Sequence, residues 1–94
     1  MAKKSKASQH IKLGGVYLFR TVTHYHVGRV SEIHPDAYVL TDAAWIADTG
    51  RFSETLKDPS KVVEVEPFVG PCILFRGGLI DATPWSGQIP MGVK

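Results

Sequence analysis

Seven side chains of this sequence carry the chemistry of a ligand site: Arg20, Thr23, Tyr25, Trp45, Thr49, Arg51 and Trp85. Guanidinium groups present a planar fork of donors to phosphate or carboxylate, threonine hydroxyls donate hydrogen bonds, and Tyr and Trp rings stack on flat ligands. Arg76 and Phe52 add a third guanidinium and a further ring. As a set they suit a nucleotide. Stacking on an aromatic face contributes about 1–3 kcal/mol per base, so two platforms with phosphate contacts would hold a dinucleotide. The competing reading is that Trp45, Ile46 and Phe52 fill the core while Arg51 pairs with a carboxylate, because large apolar side chains are mostly buried.

Catalytic chemistry has less to stand on. His24 and His26 lie two apart and share a strand face, but a closed zinc site takes four ligands, and only His34 or Asp81 offers itself as a third. Cys72 and the histidines supply the residue types of nucleophilic catalysis without a motif that links them. The acids Asp36, Asp48, Glu54 and Asp81 are scattered singly, and Thr49-Gly50-Arg51 lacks the spacing of a phosphate loop. The expectation is a binding protein, not an enzyme, with no cofactor and no metal.

The elements that must position these residues centre on Thr41 to Phe52. Ala43, Ala44 and Ala47 favour a helix that Thr41 or Asp42 can cap, and Gly50 permits the positive φ that ends it. Before it, the β-branched and aromatic run from Gly15 to Tyr25 reads as a central strand, with Val16, Leu18, Arg20 and Val22 on one face. Gly28 is a bulge or turn, Arg29 to Ile33 a second strand, His34-Pro35-Asp36 a turn, and Tyr38 to Thr41 a third short strand. After it, Ser53 to Lys57 makes one helical turn that Pro59 stops, and Val62 to Glu66 alternates as a fourth strand. Cys72 to Arg76 and Leu79 to Thr83 read as a hairpin joined by Gly77-Gly78, and Pro84 to Pro90 as an extended, packed tail. The sum is a mainly β fold with a short helix: a small, strongly bent sheet or SH3-like barrel.

Ninety-four residues make a single domain near the lower end of what sustains its own core, so covering an apolar face with a second copy would help it. A lone cysteine excludes an intrachain disulfide and points to a reducing compartment. No apolar run is long enough for a membrane span. Residues 1 to 31 carry a charge of +6 with no acid, whereas residues 32 to 94 carry −4. Residues 1–9 read as a disordered basic arm and residues 10–94 as one β-rich ligand-binding domain. An anionic partner near the first strand follows from this asymmetry, but a domain-wide cationic surface for a nucleic-acid polymer does not.

The ordered motifs L-F-R-T-V-T-H-Y-H-V-G-R-V, L-T-D-A-A-W-I-A-D-T-G-R-F, E-V-E-P, G-G-L-I-D-A-T-P-W and I-P-M-G-V-K resemble a family of small phage proteins of similar length. The D-A-A-W-I-A-D-T-G-R-F segment is the most specific part, and the basic arm lies outside the resemblance. The family is that of phage sponges that counter CBASS, a bacterial defence signalled by cyclic oligonucleotides. The resemblance implies a homotetramer in the host bacterial cytoplasm that sequesters messengers such as 3′,3′-cGAMP without cleaving them. Within the shared motifs, residue chemistry assigns base stacking to Tyr25 and Trp45, phosphate contacts to Arg51 and Thr49, and support to Thr23, Arg20 and Trp85. The alternative is a small nucleic-acid-binding barrel, since such barrels bind single strands through aromatics and arginines.

Overall fold

The computed structural model describes residues 10–94, so the expected basic arm over residues 1–9 lies outside it. Six antiparallel strands form one sheet: β1 (Val16–Thr21), β2 (Tyr25–Ile33), β3 (Ala37–Asp48), β4 (Glu64–Pro67), β5 (Cys72–Phe75) and β6 (Leu79–Pro84). The order is β4-β3-β2-β1-β6, with β5 on a separate stretch of β3. A short helix, α1 (Phe52–Lys57), and a 3₁₀ turn over Pro59–Lys61 lie between β3 and β4.

β1 is central, as its apolar alternation predicts. It pairs with β2 on one edge and β6 on the other. Tyr17 and Phe19 point into one apolar cluster, with Val30, Tyr38, Leu40, Ala43, Cys72 and Leu74. Leu18 points into a second, with Val27, Ala44, Ile46, Val62, Val65 and Trp85. Because strand side chains alternate between faces, the sheet has a core on each side. Phe19 and Ile46 are fully buried, and burial of a side chain of this size stabilises by about 1.5–3 kcal/mol.

The register of the sheet slips at four points. At one of them Gly28 faces two residues of β3, Asp42 and Ala43, since Val27 pairs with Ala44 and Arg29 with Thr41. Asp42 takes a positive φ of 50°, which aspartate tolerates better than most residues. An extra residue of this kind strengthens local twist and turns the strand. Gly28 itself is neither the expected bulge nor a turn: β2 runs through it, and the extra residue lies opposite, on β3.

Three expectations are corrected. Thr41 to Asp48 is not helical but the second half of a twelve-residue strand. Alanine's helix preference is worth only tenths of a kilocalorie per residue, and hydrogen bonding to β2 and β4 with burial of Ala43, Ala44 and Ile46 outweighs it. Gly77-Gly78 does not make a hairpin, because Arg76–Gly78 form a 3₁₀ turn that sends β5 to β3 and β6 to β1. The barrel is not closed, since β5 and β6 do not pair with each other and the sheet stays open between them. Gly50 does have the expected positive φ, 72°, and α1 follows it at once. The tail from Pro84 packs through Trp85 and Ile89 onto the second cluster.

Candidate functional site

The β1–β2 turn gathers the first group of predicted site residues. Thr21 closes it, its backbone N–H donating to the His24 carbonyl at 2.9 Å and its hydroxyl to the same oxygen at 2.9 Å. His24 thereby comes to rest on Trp45, with ring centroids 4.4 Å apart at 45°. The Thr23 hydroxyl lies 3.0 Å from His24 Nδ1. His26 pairs with Trp45 across β2 and β3 and stacks on Phe68 at 5.9 Å. Burial, and to a lesser degree the charge of His24, pushes the His26 pKa down, and its Nδ1 is shielded without a partner among the described residues. Neutral His26 and half-buried Trp45 make a firm aromatic platform.

The opposite face carries the second group. Tyr25 is half-buried and stacks with Phe52 at 5.8 Å and 27°. Arg20, opposite Tyr25, is taken by Asp81: Nε donates to Oδ1 at 3.1 Å and Nη2 to Oδ2 at 2.5 Å. The hydrogen bonds to Asp81 and then its charge raise the Arg20 pKa, with a small further push from Tyr25. Arg51 sits at the N-cap of α1, exposed, and its guanidinium meets no acceptor among the described residues.

Two predicted residues belong to the interior. Thr49 is buried, its hydroxyl donating to the Gly50 carbonyl at 3.0 Å and its own carbonyl accepting from the Thr55 hydroxyl. Trp85 is buried with Nε1 donating to the Gln88 carbonyl at 3.0 Å. The structure thus links Thr23 to Trp45 only through His24 and sets Arg20 beside Tyr25, but strand alternation turns Trp45 and Tyr25 to opposite faces. The two rings do not form one clamp within a chain. Likewise His24 is in the turn against Trp45, and among the described residues no three of His, Cys, Asp and Glu converge to hold a metal.

Compared with protein families, characterised proteins and solved structures, the chain matches none. No helix among the described residues is long and apolar enough to cross a membrane.

Sequence reasoning missed a groove of about 890 Å³ beside the open seam between β5 and β6. None of the seven predicted residues lines it, nor a second cavity of about 610 Å³ near Arg29, Asp42 and Gln88. Its floor is Tyr17, Phe19 and Tyr38, with Phe19 and Tyr38 rings 5.6 Å apart. The guanidinium of Arg76 lies 4.3 Å over the Tyr38 ring, a cation–π contact. The Tyr17 hydroxyl accepts from the Lys12 N–H at 3.0 Å and donates to the His10 carbonyl at 2.9 Å, tying the leading segment along one wall. A run of apolar strand residues ending in an arginine was the one trace of this groove in the sequence.

Proposed function

We propose that this chain is a non-catalytic binder of cyclic oligonucleotide messengers, 3′,3′-cGAMP among them, that sequesters the signal of a CBASS-type defence in the host bacterial cytoplasm. The observation that carries the reading is the pair of half-buried platforms, Trp45 on His24 and Tyr25 on Phe52, at one end of the sheet with the uncommitted fork of Arg51 beside the second. The motif resemblance supplies the messenger class. Each platform offers one ring to one base, at about 1–3 kcal/mol. The two point to opposite faces, so enclosing a dinucleotide takes a second copy of the chain, and the motif resemblance supplies the homotetramer. Ile73 and Phe75, 59% and 64% exposed on β5, give an apolar surface for such assembly. β5 has β3 on one side and no strand on the other among the described residues, and an edge of this kind pairs readily.

The test is calorimetry of the full chain with 3′,3′-cGAMP, repeated on Trp45→Ala and Arg51→Ala, with light scattering for subunit number. The expected result is binding by a tetramer, weakened about tenfold or more in each folded variant, and intact nucleotide recovered after denaturation. Linear products, or affinity untouched by either substitution, would defeat the reading. A single-stranded oligonucleotide run in parallel separates the barrel-type alternative, because polymer binding falls steeply with salt.

A further inference from the structure

We propose that the groove between the leading segment, β1 and β6 is a separate binding site for a small organic anion, a flat apolar ring bearing one carboxylate or phosphate, with Arg76 as the residue that recognises the oxyanion. Arg76 is held in place twice without an anionic partner: its backbone N–H donates to the Asp36 carbonyl at 2.8 Å, and its guanidinium carbon lies 4.3 Å over the Tyr38 ring. No carboxylate or carbonyl among the described residues accepts from that guanidinium, and Nε is shielded from solvent with no partner. Nε is turned into the protein, so the terminal Nη groups, which are neither shielded nor paired among the described residues, are the donors that an oxyanion in the groove would meet.

The remaining lining sets the rest of the ligand. Ile11, Val16, Leu79, Ala82 and Pro84 make the walls apolar, and the floor is aromatic. Lys12 adds a second cation, while the acid, Asp81, is already neutralised by Arg20. The local field therefore favours a single negative charge and rejects a cation. A volume near 890 Å³ is of the size that takes a ligand of one to three rings. The site shares no residue with the Trp45 and Arg51 surfaces, so it stands or falls independently of the cyclic-nucleotide reading.

The experiment is an NMR titration of the ¹⁵N-labelled full chain with indole-3-acetate, adenosine 5′-monophosphate, and the uncharged indole-3-acetamide. The expected result is saturable shifts at Gly15, Tyr17, Arg76 and Leu79 with one of the two anions. Affinity for the amide should be at least about tenfold weaker. The two anions report whether a carboxylate or a phosphate is preferred. Arg76→Gln should lose at least about tenfold for the anion with little change for the amide, and Arg76→Lys should keep part of it. Ala82→Trp, an exposed position on the wall, should block all three in a protein whose spectrum remains folded. Equal affinity for anion and amide, an Arg76→Gln protein that binds as before, or no saturable shift in the groove with either anion would overturn the proposal.

Discussion

Replacing Gly28 with alanine probes the close packing opposite the bulge in β3. A Cβ at this position would lie 3.0 Å from the Cβ of Ala43, 3.0 Å from that of Leu40 and 3.2 Å from Leu40 Cδ1. Carbon atoms settle at about 3.5–4.0 Å, so the new methyl is too close by roughly half an ångström to two atoms at once. Both are fixed to the backbone of β3, and no rotamer change moves them. Two effects oppose each other. Alanine loses less backbone freedom on folding, which at an ordinary φ stabilises by about 0.4–1 kcal/mol, and Gly28 is not in the left-handed region. Overpacking a closed core costs about 1–3 kcal/mol. The second wins, for a net loss of about 1–2 kcal/mol. With a urea slope near 1 kcal/mol per molar for so small a chain, the unfolding midpoint should fall by about 1–2 M. Ala43→Gly removes one of the two obstructing atoms, so the double variant should regain about half the loss, read as coupling in a double-mutant cycle. A Gly28→Ala protein as stable as the parent, or effects that simply add, would refute this account of the packing at the bulge.

Two further outcomes follow from buried groups. His26 has a folded pKa pushed down by burial and by His24, so the unfolded chain takes up a proton that the folded one refuses as pH drops below about 6.5. Its contribution to stability is complete above that value and is lost as pH falls through the window beneath it. Melting temperature should decline there, less so in His26→Leu, and an unchanged pH dependence in that variant would count against the shift. The two tryptophans should differ: Trp85→Ala is expected to cost about 3–5 kcal/mol in urea unfolding and Trp45→Ala clearly less. In single-tryptophan proteins, Trp85 should emit to the blue and resist acrylamide while Trp45 is quenched, and equal quenching would contradict the burial described here.

The parts of the fold that the sequence made legible are those where one residue type had one physical use. The β-branched and aromatic run from Gly15 to Tyr25 names a strand covered on both faces, which holds for Val16 to Thr21 before a turn delivers Tyr25 into β2, and Pro84 to Pro90 names an irregular tail. His34-Pro35-Asp36 does turn the chain, with the His34 N–H donating to the Ala37 carbonyl at 2.8 Å. Ala43 and Ala44 were ambiguous because smallness serves a helix through propensity and a crowded bulge through volume, and only the partner strands decide between them. Gly77-Gly78 was ambiguous for the same reason, being as suited to a 3₁₀ link as to a hairpin. At the site, residue types picked out Trp45, Tyr25 and Arg51 as candidate ligand contacts, with a core role for Trp45 as the competing reading, but spacing alone did not reveal that cross-strand register sends the two rings to opposite sides. Arg76 stood out as a phosphate partner in type, yet its position over Tyr38 depends on β5 crossing to β3.

Leu40 and Ala43 on β3 lie in one apolar cluster, and Ala44 and Ile46, just past the kink at Asp42, lie in the other. The two halves of the molecule are therefore threaded on a common spine. Neither can melt while its neighbour stays intact, because peeling β3 from one removes a wall of the other. Amides on both sides of Asp42 should accordingly be released to solvent exchange together, in a single cooperative opening.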